Sequence, residues 1–145
     1  MPGKVRAAAA QDAEACASIT ATGRDAAAFA SAFGSDTEAW VVLEDEDGEA
    51  ICVAGCQFWA WNRVAWVMDL TIRRDRRGHG HGRLLLDALL AAAKRRGALV
   101  LMDFEPQGGA MTEFYLQNGF RICGFCDRYL PGTEDPSVVF LSRDL

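Results

Sequence analysis

The chain has 145 residues, half of them hydrophobic and about a quarter charged, enough to bury one real core. Lys and Arg number 15 against 20 Asp and Glu, a net charge of −5 that excludes the basic field of a general nucleic-acid binder and favours cationic partners only weakly. No apolar run approaches a membrane span or a secretory leader, so a cytoplasmic protein with no membrane and no nucleic-acid partner is expected.

Lys4 to Ala8 reads as a short opening strand. Asp12 is placed to cap a helix running to about Ala21, and an alanine-rich helix follows from Asp25 to Phe33, ended by Gly34-Ser35-Asp36. Trp40 to Leu43 reads as a strand, the acidic stretch 44–49 as a solvated turn, and Ile51 to Trp61 as a longer strand. Asn62-Arg63 has the composition of a tight hairpin connection, after which Val64 to Ile72 returns, so an antiparallel meander is expected. Trp59, Trp61 and Trp66 are assigned to the core, because aromatic residues in a sheet usually pack.

The pattern then changes. Helix 81–96 places Leu85, Ala88, Leu89 and Ala92 on one face, and Gly97 stops it. Ala98 to Met102 is nearly continuous apolar sequence, as in a strand covered on both faces. Strand 64–72, this helix and strand 98–104 therefore form one βαβ unit with parallel strands. A helix near 109–118 and strands near 120–130 and 137–143 complete the chain. No repeat, linker or low-complexity segment divides it, so residues 1–145 are read as a single domain.

Five cysteines stand at 16, 52, 56, 123 and 126. A reducing cytosol keeps them as thiols rather than disulfides, and most are expected to be small core residues. Cys123 and Cys126 form a CxxC, but in a strand residues three apart point to opposite faces, so no zinc site is expected.

The chemistry concentrates in RGHGHG, Arg77 to Gly82, which follows a buried strand and opens a helix. Backbone N–H groups there lack intrahelical partners and carry the positive end of the dipole, which makes an anion site. Glycine lets a phosphate approach the main chain and permits positive φ. Arg73, Arg74, Arg76, Arg77 and Arg83 add five cations, so a phosphate or pyrophosphate cradle is the plain physical reading. The ATP-type loop is missing because no lysine follows the last glycine, and a dinucleotide fingerprint fails on the spacing of the third glycine. His79 and His81 form an HxH, but imidazoles among five arginines make a poor metal site; they read as loop residues in reach of phosphate oxygens.

RGHGHG fits [Q/R]xxGx[G/A], and Tyr115-Leu116-Gln117-Asn118-Gly119-Phe120 fits YxxxGF. Together, with a helix and an apolar strand between them, these resemble the GNAT superfamily of N-acyltransferases. Residues 128–145, RYLPGTEDPSVVFLSRDL, are similar to the closing hairpin of its branch that acetylates protein N-termini. The resemblance implies a mixed α/β fold: an antiparallel N-terminal meander, a central βαβ unit whose parallel strands splay apart, and a C-terminal hairpin. It implies acetyl-CoA as acyl donor and no metal. The diphosphate would rest on Arg77, Gly78, His79, Gly80, His81, Gly82 and Arg83, and the pantetheine arm would pair with the main chain of Leu70, Thr71 and Ile72. A primary amine, either a small cationic molecule or a peptide or protein N-terminus, would attack directly, with no covalent enzyme intermediate. Tyr115 matches the general acid. Asp103 aligns with a carboxylate base, with Asp69 and Glu105 as nearby alternatives, and strand alternation puts Asp103 and Glu105 on one face. A non-catalytic acyl-CoA-binding regulatory module is the competing expectation. Dimers are common in the family, so a homodimer is also open. The chain departs from the family pattern at Arg74, where proline is common, and at Gly108 and Met111, which replace asparagine and alanine near the pantetheine arm.

Overall fold

The computed structural model describes residues 3–145. Its elements run β1 (Lys4–Ala7), α1 (Ala13–Ile19), α2 (Ala26–Phe33), β2 (Glu38–Glu44), β3 (Ala50–Trp59), β4 (Val64–Ile72), α3 (His81–Arg95), β5 (Val100–Glu105), α4 (Ala110–Gln117), β6 (Arg121–Cys126) and β7 (Val138–Asp144). One mixed sheet holds all seven strands in the order β1-β2-β3-β4-β5-β7-β6. Strands β1 to β4 form the expected meander, and β4 and β5 are the parallel pair. The C-terminal hairpin inserts β7, not β6, beside β5.

Helices α1 and α2 close one sheet face over β2 and β3, around Phe29, Trp40, Val42 and Val53. On the opposite face α3 packs Leu85, Leu86 and Leu89 against Val41, Leu43, Cys52 and Ala54. The apolar period of α3 sets this, and Gly97, at φ 90° just past its end, lets the chain turn into β5. No helix among the described residues is long and apolar enough to cross a membrane.

Several expectations change. Asp12 does not cap α1 with its side chain; its carboxylate accepts from the Ala9 N–H and pairs with Arg6, so long-range charge overrides the local capping signal. Asp25 does cap α2, accepting from the Ala28 N–H at 2.8 Å. The hairpin between β3 and β4 is longer than two residues: Trp59 pairs with Val64, and Arg63 turns the corner at φ 58° while its Nε donates to the Gly97 carbonyl at 2.9 Å. Trp61 therefore lies on that turn at 82 % exposure and is not core. Strand β5 is not covered on both faces either. Leu101 is buried while Val100 and Met102 are half-buried, because no helix covers their side of the sheet; Leu99, just before the strand, is exposed.

Candidate active site

Strands β4 and β5 are hydrogen-bonded neighbours only over Val64↔Val100, Ala65↔Leu101 and Trp66↔Met102. Beyond Trp66 they diverge. Opposite Gly55 and Cys56 the register of β4 skips Met68, a bulge of the kind that re-aims a strand beside a site. The gap opens into a cleft with two adjoining parts. One, about 490 Å³, touches Leu70, Ile72, Arg77, Gly82, Met111 and Phe114. The other, about 480 Å³, touches Met68, Asp69, Asp103, Phe104, Glu105 and Tyr115. Both are bounded by Ala21, Leu70, Thr71 and Met111, so the cleft runs from the glycine loop to the carboxylates.

At the loop end, Gly78 and Gly80 adopt φ 82° and 79°, conformations that favour glycine, and a Cβ on either would project into open space. Among the described residues, no backbone carbonyl accepts from the amides of Gly78, His79 or Gly80. His81, Gly82 and Arg83 follow as the first helical residues of α3, whose N–H groups have no carbonyl behind them. The loop is exposed rather than buried under protein. Gly82 serves packing instead: a Cβ there would lie 3.3 Å from Phe114 and 3.4 Å from Ile72.

The arginines are less uniform than their clustering suggests. Arg73 pairs with Asp75 at 2.7 Å, and Arg76 lies 4.0 Å from Asp45. Arg77 directs Nε at the Ile72 carbonyl at 3.2 Å. Arg74, Arg77 and Arg83 have no carboxylate partner among the described residues and supply the unneutralised charge. His79 is exposed and His81 half-buried, their rings stacked at 5.9 Å. No cluster of His, Cys, Asp and Glu among the described residues is arranged to hold a metal ion.

Along β4, the Arg73 amide donates to the Ile51 carbonyl, which fixes the parity of the strand. Thr71 then spends its main-chain groups on β3, whereas Leu70 and Ile72 turn theirs toward the cleft. Of the three residues expected to meet a pantetheine arm, two therefore turn main-chain groups toward the cleft, with the Ile72 carbonyl already accepting from Arg77. The Thr71 hydroxyl donates to Asp69 at 2.6 Å. Gly108, at φ 74°, lies in the loop before α4, and Met111 borders both halves of the cleft.

At the far end, Asp103 is 8 % exposed and Tyr115 fully buried, and the tyrosine hydroxyl donates to Asp103 Oδ2 at 2.6 Å. The Phe104 N–H donates to the other oxygen at 2.8 Å. Burial pushes the Asp103 carboxyl up to about 7; the Tyr115 hydrogen bond opposes that, and the neighbouring charge of Glu105 adds to it. Glu105, on the same face of β5, is also raised by burial. Tyr115 is held well above the ordinary phenol range by burial and then by Asp103, so it stays protonated at neutral pH.

Asp69 differs from this pair. Its carboxylate accepts from the hydroxyls of both Thr20 and Thr71, and burial raises its pKa against those bonds. It ties the segment after α1 to β4. Thr20 and Phe104 are the site residues that sequence reasoning missed. Neither carries a local signal, since each matters through a contact made in the folded state.

The sequence matches the model of the acetyltransferase (GNAT) domain over residues 35–122. No curated protein sequence matches significantly. Among solved structures, phosphinothricin acetyltransferase from Sinorhizobium meliloti, in complex with AcCoA, superposes with TM-score 0.82 at 20 % identity, covering 100 % of this chain and 89 % of its own. The ribosomal-protein-S18-alanine N-acetyltransferase from Escherichia coli gives 0.80 at 20 % identity, covering 98 % and 93 %. A nourseothricin acetyltransferase gives 0.76 at 22 % identity and covers 99 % of each chain. Since the domain model spans more than half of the sequence and these enzymes share its fold, the chain belongs to the GNAT acetyltransferase family.

Proposed function

We propose that this protein transfers an acetyl group from acetyl-CoA to a primary amine by direct attack, with Asp103 as the base and Tyr115 as the acid. The observation that carries the reading is the continuity of one cleft between unpaired loop amides and a buried Tyr115–Asp103 pair. The residues suit the donor. Amides at Gly78 to Gly82 and the charges of Arg74, Arg77 and Arg83 match a diphosphate, and the cleft-facing main chain of Leu70 and Ile72 matches an amide-bearing arm.

When bound, the donor supplies an activated thioester carbonyl. Asp103, titrating near neutrality, takes a proton from the attacking amine. Tyr115 holds its proton until a thiolate departs, then releases it. The 2.6 Å bond between them lets the carboxyl replenish the phenol: an ammonium first gives one proton to solvent, and the second moves from the amine to sulfur with no net change on the protein. Asp103 is favoured over Asp69 and Glu105 because it alone of the three is hydrogen-bonded to Tyr115.

Acetyl-CoA consumption on a panel of amines, with binding followed by calorimetry, tests this reading. Tyr115→Phe is expected to lower kcat by about 10²- to 10⁴-fold while acetyl-CoA still binds. Tight CoA binding without turnover on any amine would instead favour the non-catalytic sensor module.

A further inference from the structure

The sheet face that carries α1 and α2 is covered only over its first strands. Farther along, the same face bears a continuous row of aromatic rings: Trp59, Trp66, Phe140, Tyr129 and Phe104. Successive centroids lie 5.8, 6.2, 5.2 and 4.7 Å apart. Trp59 and Tyr129 are exposed, Tyr129 at 42 %, and Trp66, Phe104 and Phe140 are half-buried, so the row lies open to water. A contiguous apolar surface of this kind marks a binding site more often than an isolated exposed ring does. It is also continuous with the cleft, because Phe104 sits between Asp103 and Glu105 in β5 and borders the carboxylate end.

We infer that the acceptor is an extended peptide whose first residues are apolar, lying along this aromatic floor with its amino group reaching Asp103 through the gap between β4 and β5. The inference rests on the acetyl-transfer reading. Charge and length argue for this occupant. The carboxylates Asp69, Asp103 and Glu105 are grouped at the cleft, where one ammonium is recognised, and the floor beyond consists of rings, which suits an apolar body rather than a second cation. The rings reach from β3 across β4 and β5 to β7, three inter-strand spacings of about 4.8 Å each, longer than a single aromatic amine and comparable to several residues of extended chain at about 3.3 Å each.

The test uses the intact chain and tetrapeptides with free N-termini, apolar or glycine at positions two to four, beside a diamine and a single arylalkylamine. KM is expected to fall about tenfold from glycine to apolar tetrapeptide and to rise about tenfold in Trp59→Ala and in Tyr129→Ala, with kcat little changed and Tyr129→Phe retaining the wild-type value. Tryptophan fluorescence should shift on adding the apolar peptide without donor, and less so in Trp59→Ala. Equal KM for all acceptors, or unchanged KM in both alanine variants, overturns the floor while leaving acetyl transfer standing. A dimer that covers the floor and excludes the peptide also overturns it. A fluorescence shift with no acetylation of any amine would support the floor and sink the acetyl-transfer reading, so the two failures are distinguishable.

Discussion

The two ends of the cleft are built from different materials. At the glycine loop the unpaired groups are main-chain amides, left bare by Gly78 and Gly80 and flanked by the charges of Arg74, Arg77 and Arg83. At the Asp103 end the groups are side chains from two elements, β5 and α4, held by a hydrogen bond between them. A main-chain site depends on backbone conformation and tolerates varied neighbours, which is how two histidines fit inside it. A side-chain site depends on the identity of each atom, and its proton affinity is set by burial.

The contrast predicts graded effects. The largest belongs to Asp103→Asn, expected to cut kcat by about 10²- to 10⁴-fold. It should also remove the rising limb of the pH–rate profile, which in the native enzyme reaches its midpoint at about 7. The same residue links pH to stability. The folded chain keeps the Asp103 proton to about 7, whereas an unfolded carboxyl releases it at about 3.9. Between those values the folded state holds the additional proton. Its contribution to stability is complete below the lower value and is lost as pH rises through the upper one. The Tm of the native chain should therefore drop across this window relative to Asp103→Asn.

An intermediate effect is expected at the loop. Gly80→Ala forces a Cβ into φ 79° at a cost of about 1–2 kcal/mol, which should weaken CoA binding roughly tenfold by calorimetry without shifting the pH midpoint. Thr20→Val removes one hydroxyl from the buried Asp69 and should lower stability by about 1–3 kcal/mol in thermal unfolding. The smallest effect belongs to Trp61→Ser on the exposed turn, expected within about 0.5 kcal/mol of the native chain. If Trp61→Ser proved costlier than Thr20→Val, the assignment of these two positions would be reversed.

The parts that could be read from sequence are those with local causes. Alternation, helical period and the Gly97 stop placed the meander and the βαβ unit. The two motifs, RGHGHG and the Tyr115-to-Phe120 stretch, placed the loop and the tyrosine. What escaped depends on pairing between distant segments. The skipped Met68 and the Arg73–Ile51 bond determine which β4 amides face the cleft, and no spacing rule contains that. Asp12 looked like a cap until Arg6 was beside it. The tryptophans looked like core because alternation reports which side a residue faces, not whether anything covers that side.

The insertion of β7 between β5 and β6 bears on how the molecule is made. Strand β5, which carries Asp103, touches β4 over only three residue pairs, and its other edge is completed by Val139 to Asp144. During synthesis the carboxylate strand thus waits, one edge unpaired, until those residues leave the ribosome. The pocket consequently forms only after residues 139–144 emerge, and a chain stalled before them would already hold the glycine loop while lacking a firm Asp103 strand.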